Sequence, residues 1–265
     1  MRGVNSMKPC AFVNQTLRDH SLGSLSNVDA VFKDGYFKTV KRRMDRFMQH
    51  SLKSGRVEEA DVRTIQGMSW ERWRDLIRFL TAIHDIGKAD DYYQKKFNDS
   101  CEASKSSFRL HEVSGALVLF NAKWNSNLVK LWSILAILNH LNAIRTVSNL
   151  KGYEGEIKPE MLKLKNYGSV LVSDPQISSL IRKVTGVVDN VSPVDYDKSN
   201  FQEMKHWVEF MATKPLAKPY ILLLFPIIIG DNLDSSQNRS KDETSRNKSR
   251  FIQSLQNMKV IVVDH

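Results

Sequence analysis

Apolar residues along this chain recur at intervals of three and four, and rarely in strict alternation. That spacing predicts helices. The clearest runs from Ser69 to Lys88, where Trp73, Leu76, Ile77, Leu80 and His84 fall at i, i+3, i+4, i+7 and i+11. This phase puts His84 on the buried stripe, away from Arg72, Arg74 and Arg78. Gly87 then ends or bends the helix. Leu128 to Arg145 is apolar almost all round and predicts a central helix with His140 near its end. Phe37 to Ser54 is amphipathic, and Arg109 to Trp124 shares His111, Ser114, Gly115 and Val118 on one face. Phe201–Ala212 and Tyr220–Asp234 are helical again, with a kink expected at Pro226, one turn before Asp231. The fold class expected is all-α, with at most a small peripheral β element.

Between the helices the pattern weakens. Residues 1–6 read as an extension and Ala11–Val13 as a short extended piece. Asn14 offers a cap to a short helix carrying His20. Residues 21–36, rich in Ser, Gly, Asn and Asp, read as a loop, as do residues 98–107. Residues 149–200 have mixed composition and read as a peripheral insertion with short helices and a hairpin around Ser169–Ser173. Residues 235–250 read as an exposed basic loop, and Val260–Val263 as a terminal strand. The whole of 1–265 is expected to form a single domain.

Composition narrows the class. With 265 residues and 42% hydrophobic residues the chain can bury a sizeable core. Its two cysteines, Cys10 and Cys101, are far apart and form no CxxC pattern. They suggest a reducing compartment, with neither a disulfide framework nor a cysteine zinc site. The N-terminus lacks a signal-peptide core, and the apolar run Tyr220–Ile229 is shorter than the roughly 20 residues that cross a bilayer. A soluble cytoplasmic protein without a membrane partner is expected. The net charge of +10 suits an anionic partner, nucleic acid first.

The candidate chemistry lies in six residues: His20, His84, Asp85, His111, His140 and Asp231. Each sits in or at the end of a helix with an apolar face. One such histidine is usually a hydrogen-bonded core residue. Several together are harder to bury, because unpaired imidazoles and carboxylates cost several kcal/mol each. Sharing them around cations is the simplest solution. Imidazole with carboxylate suits Mn, Ni, Co or Fe ahead of Mg, with Zn admitted. His111-Glu112 is not a zincin motif, since Gly115 stands where the second histidine would be.

HDIGKADDYYQKKF, RLHEVSGAL and NHLNAIR, preceded by LRDHSLGSL and followed by GDNLDSS, resemble the HD superfamily of metal-dependent phosphohydrolases. In order and context they are most similar to the CRISPR-associated HD nucleases, the stand-alone nuclease half of the split type I helicase–nuclease. The resemblance spans Leu17 to Asp234, is specific at the motif islands, and implies a mainly helical HD-domain fold. It implies two divalent metal ions, the first held by His20, His84, Asp85 and Asp231, the second by Asp85, His111 and His140, with Asp85 bridging. Lys88 matches the motif lysine and would neutralise the scissile phosphate. Most relatives carry two adjacent histidines where this chain has Asn139-His140. Asn139 would then contribute a weak oxygen ligand or a bond to bound water.

The implied reaction is metal-dependent phosphodiester hydrolysis. Asp85 and Lys88 are its catalytic residues, and Arg145 is a further candidate for balancing phosphate charge. Single-stranded DNA is the first substrate, with RNA or R-loops beside it. The implied partners are a separate CRISPR helicase subunit and a crRNA surveillance complex. Tyr92, Tyr93 and Phe97 are candidates for stacking on bases. Two other readings stay open: an HD phosphohydrolase acting on nucleotides or cyclic dinucleotides, and a degenerate module that binds nucleic acid or a helicase without cutting.

Overall fold

The structure is a computed structural model. It describes residues 8–103, 107–141, 150–212 and 216–238. Within these the chain is helical, with two small two-stranded antiparallel sheets. It opens with a hairpin, β1 (Cys10–Phe12) and β2 (Gln15–Thr16), whose turn holds Asn14 at φ 63°. Thr16, not Asn14, caps the first helix, α1 (Leu17–Val31). Its hydroxyl accepts from the Asp19 amide.

α1 runs through most of the stretch that composition marks as a loop. Ser21 and Ser24 are fully buried against α12 (Ile221–Asn238), and the two helices pack closely. A Cβ on Gly230 would come within 2.6 Å of the Ser24 carbonyl oxygen. The Ser/Gly content of this segment therefore lets two backbones approach and does not break the helix.

α2 (Asp34–Lys53) packs on both α3 (Glu59–Gln66) and α4 (Trp70–Ile83). Ser69 caps α4 by accepting from the Arg72 amide, and Trp73, Leu76, Ile77 and Leu80 are fully buried, as their spacing predicts. α4 stops at Ile83. His84 and Asp85 lead into a 3-10 turn over Ile86–Ala89, then the short α5 (Asp91–Gln94). Gly87 is required here: a Cβ would lie 1.8 Å from the His111 carbonyl oxygen.

α6 (His111–Asn121) starts after Leu110, which has φ 72°, and packs on α7 (Asn127–Asn139), which is buried all round except at Asn127 and Lys130. Lys123–Trp124 is not helical but forms β3, paired with β4 (Val188–Asp189). α7 ends at Asn139 and His140–Leu141 form a bend, short of the helix expected to Arg145, whose remaining residues 142–145 lie outside the described residues.

Residues 150–200 contain α8 (Leu150–Tyr153), α9 (Lys165–Val172) and α10 (Pro175–Lys183). The hairpin expected around Ser169–Ser173 is a helix instead. Gly168 seats that helix on Pro193, and Leu171 points into the core. Leu164, Leu171 and Ile177 join the same apolar core as α4 and α7. The Asp90 carboxylate, itself fully buried, accepts from the Leu162 amide at 2.5 Å and ties this segment to the HD turn.

α11 (Lys198–Ala212) follows, and α12 continues through Pro226 to Asn238. Residues 235–238 are thus helical, with Ser235 buried, where an exposed loop was expected. The remainder of that stretch and the strand expected at 260–263 lie outside the described residues. Among the described residues, no helix is long and apolar enough to cross a membrane.

The expectation for the cysteines is overturned as well. Cys10 and Cys101 form a disulfide across a sequence separation of 91. The fold lays the β1–β2 hairpin on the loop after α5, where the Asn14 amide donates to the Cys101 carbonyl at 3.0 Å. The Gln94 side chain holds the same strand, accepting from the Cys10 amide and donating to the Cys10 and Lys88 carbonyls. The contact is tertiary, so sequence spacing carries no sign of it.

Candidate metal centre

Helices α1, α6, α7 and α12 and the HD turn converge on Asp85, whose carboxylate is buried among histidines. Its Oδ2 lies 2.9 Å from His20 Nε2 of α1 and 3.5 Å from His84 Nε2. Its Oδ1 lies 2.8 Å from His111 Nε2 of α6 and 3.2 Å from His140 Nε2 at the end of α7. Asp231 of α12 approaches from the first side, with Oδ1 3.4 Å from His20 Nε2 and 4.0 Å from His84 Nε2.

Two groups of ligand-type atoms result: His20, His84, Asp85 and Asp231 in one, and Asp85, His111 and His140 in the other. All six residues named from the sequence are therefore brought together. Asp85 belongs to both groups through different oxygens.

The imidazoles are oriented by a shared device. His84 Nδ1 faces the Thr81 carbonyl at 2.7 Å, His111 Nδ1 that of Phe108 at 2.5 Å, and His140 Nδ1 that of Ile137 at 2.6 Å. A carbonyl only accepts, so each Nδ1 carries the proton and each Nε2 can present its lone pair inward. In each case the acceptor lies three residues upstream, which the last turn of a helix or the turn before one supplies.

His20 lies mid-helix, where carbonyls are already engaged. Its Nδ1 meets Asp234 Oδ2 at 2.6 Å instead. Asp234, one turn beyond Asp231, also accepts from Gln15 Nε2 at 2.8 Å and Asn238 Nδ2 at 2.9 Å. Such a carboxylate behind a ligand histidine fixes its tautomer and raises its basicity.

Electrostatics follow from this crowding. Burial alone would depress His20, but Asp231, Asp234 and Asp85 outweigh it and push its pKa up to about 9. His84 is held at about 4 by burial, with His140 and His20 adding to the effect against Asp85 and Asp231. Burial opposes ionisation of Asp85, but Lys88, His84 and His111 overcome it and keep its carboxyl well below the usual range. His140 is likewise raised, its burial outweighed by Asp85.

The donor set fits a divalent cation. The Nε2 atom of His84 is fully buried without a hydrogen-bond partner among the described residues, a costly arrangement for a neutral imidazole unless a Lewis acid takes the lone pair. Imidazole nitrogens mixed with carboxylates match borderline transition metals.

Lys88, expected to face a phosphate, is 3% exposed and bonded to Asp85 Oδ2 at 2.5 Å. Its ammonium lies 3.6 Å from the Phe12 ring centroid. Asn139 Nδ2 donates to the Leu135 carbonyl at 2.8 Å, while its Oδ1 is buried without a hydrogen-bond partner among the described residues. Arg145 lies outside the described residues. Tyr93 is buried and bonded to the Arg109 carbonyl, and Phe97 stacks on Phe108 at 5.6 Å. The Tyr93 ring packs the core and is not free for bases, while Phe97 is half-buried against Phe108. Tyr92 remains half-buried beside Lys96 and Lys158.

Comparison with known proteins points the same way. A family model for the HD domain of Cas3 matches residues 15–145. A CRISPR-associated endonuclease Cas3-HD of Saccharolobus solfataricus is 31% identical over 244 residues, covering 88% of this chain and 91% of the relative. Its counterpart from Methanocaldococcus jannaschii is 24% identical over 248 residues, covering 89% and 91%. A solved Cas3 HD-domain protein from that second organism aligns at a TM-score of 0.44 and 18% identity, over 83% of this chain and 99% of its own.

Proposed function

This chain belongs to the CRISPR-associated Cas3 HD-domain family, and from that premise we propose that it is a metal-dependent nuclease that hydrolyses phosphodiester bonds. The observation that carries the reading is the Asp85 carboxylate. It turns one oxygen to His20 and His84 and the other to His111 and His140. His20, His84, Asp85 and Asp231 would hold one ion, and Asp85, His111 and His140 a second, with Mn, Ni, Co or Fe preferred over Mg. Such ions lower the pKa of bound water and stabilise charge on the phosphate.

The residues of the chain do the rest. Four imidazoles, fixed through Nδ1, present Nε2 to one small volume. That preorganisation removes the reorganisation cost at the moment of reaction. Lys88 compensates Asp85 and supplies a positive charge for the oxygens of a scissile phosphate. The substrate proposed is single-stranded DNA, with RNA or an R-loop strand second. The +10 charge suits a polymer better than a nucleotide. A helicase subunit and a crRNA surveillance complex would deliver the strand, and all of 1–265 would act as one nuclease domain.

The test is cleavage of labelled single- and double-stranded DNA and RNA, with a panel of divalent metals and with EDTA. Cleavage should need metal and favour single-stranded DNA. Cleavage that survives His84→Ala with Asp85→Ala would sink the metal-centre reading. A nucleotide or cyclic dinucleotide turned over faster than any polymer would replace the substrate.

A further inference from the structure

α2 turns Phe37, Val40, Met44 and Met48 inward, and its opposite face is basic. At 3.6 residues per turn, Lys38, Arg42, Arg46, Gln49 and Lys53 fall within about a quarter of the helix circumference, with His50 and Arg43 further round the same side. All seven are exposed. No acid lies among them. Asp45, on the flank, is taken by Lys41, which bonds both its oxygens at 2.6 and 2.5 Å.

Arginines of the neighbouring helix α4 are treated differently. Arg78 grips Asp29 with two bonds of 2.9 and 2.8 Å, Arg74 pairs with Asp75 at 3.5 Å, and Arg72 bonds the carbonyls of Lys183 and Thr185. Arg42, Arg43, Arg46 and Lys53 enter no ion pair among the described residues. Cations one turn apart repel and weaken a helix. A face built this way, beside one whose arginines are satisfied, fits an external anion.

The face is also far from the metal centre. Lys38 lies over the ring of Trp70, the first residue of α4. The 14 residues of α4, about 21 Å at ~1.5 Å per residue, separate that ring from His84. At this end of the face the cations therefore cannot serve a scissile phosphate bound at Asp85. From Lys38 to Lys53 they extend about 22 Å along the helix, the length over which one strand of a duplex presents roughly six phosphates.

We propose that the outer face of α2 binds the phosphate backbone of a polynucleotide, as a contact region separate from the cleavage centre. The proposal rests on the nucleic-acid reading above and adds a second surface that engages the same polymer. Phosphate contacts hold a strand without reading its sequence, so the face serves any sequence that reaches it.

The experiment measures anisotropy of a labelled 30-nucleotide single-stranded DNA against full-length protein in EDTA, across a range of KCl. R42A/R46A/K53A should weaken binding about tenfold or more near 0.1 M salt. It should also shallow the slope of log K against log salt by about 2, at ~0.7 per lost contact. R42K/R46K should restore binding, and metal-dependent hydrolysis of bis-p-nitrophenyl phosphate should be unchanged in both variants. Unchanged affinity and slope in the triple variant, or an equal loss in K123A/K151A/K183A on other exposed surface, overturns the proposal. Hydrolysis without α2-dependent binding overturns the α2 contact and leaves the nuclease reading intact. Binding that depends on α2, in a wild type that hydrolyses no phosphodiester with any metal, supports the contact and overturns the nuclease reading.

Discussion

His20 Nδ1 and Asp234 Oδ2 meet at 2.6 Å, and Gly23 makes the approach possible. A Cβ at position 23 would lie 1.9 Å from Asp234 Oδ1. The bond fixes which nitrogen of His20 faces Asp85 and Asp231. Asp234→Asn should therefore keep the fold and weaken metal binding about 10- to 100-fold, the usual cost of losing the group behind a ligand histidine. Equilibrium dialysis against manganese, read by elemental analysis, gives the value. Wild-type affinity in the variant would remove Asp234 from the centre.

Gly23→Ala tests the same contact from the other side. The added methyl must displace the Asp234 carboxylate or separate α1 from α12. Thermal unfolding should show a loss of about 1–3 kcal/mol, the range for overpacking a tight site. Shortening the obstruction with Gly23→Ala/Asp234→Ala should return part of that stability while leaving metal binding weak. A Gly23→Ala protein as stable as wild type would mean that the two helices slide apart at no cost.

The contrast between these residues and the six named from the sequence explains what was legible. His84 is readable because its phase follows Trp73, Leu76, Ile77 and Leu80, and burial of a histidine on such a stripe raises a question of chemistry. Asp231 and His140 are readable from the long apolar runs that precede them. Asp234 hides in a polar run, Asn-Leu-Asp-Ser-Ser. Only its position one turn after Asp231 placed it on the same face. Gly23 and Ser24 look like a loop when composition is read alone, although small residues equally let two helices touch. The Cys10–Cys101 bond spans 91 positions and has no local pattern. Lys88 is found at the right turn, but packing against Phe12 and Asp85 decides where its ammonium points.

The disulfide itself is testable. It closes a loop of 91 residues of separation and so restricts the unfolded chain, with a typical stabilisation of about 2–4 kcal/mol. Cys10→Ser/Cys101→Ser should lower the denaturation midpoint accordingly. Intact mass after alkylation, with and without prior reduction, should differ by two alkyl groups in the wild type. Two free thiols in the unreduced native protein would refute the bond.

Asp90 should hold residues 150–200 against the HD turn. Its buried carboxylate accepts from the Leu162 and Tyr92 amides. Asp90→Ala would leave the Leu162 amide unsatisfied in the interior, at about 1–3 kcal/mol. Hydrogen exchange should show faster opening around Leu162 and along α9, with α4 and α7 still protected. Uniform acceleration across the whole chain would instead assign Asp90 to global stability.

The two ligand groups are unequal, and this inequality is measurable. The first has four residues, while the second has Asp85, His111 and His140. Asn139 adds nothing through its amide nitrogen, which is spent on the Leu135 carbonyl. Titration with manganese should therefore show a tight step followed by a weaker one. His140→Ala should abolish the weaker step and spare the tight one, because His140 approaches Asp85 Oδ1 and not Oδ2. His20→Ala should do the reverse. Asp85→Asn should damage both steps, since a neutral amide offers one weak oxygen in place of two charged ones. Asn139→His, which installs the second histidine of the pair, should tighten the weaker step. A single step in the wild type that His140→Ala leaves untouched would show that one ion is held and that Asp85 does not bridge.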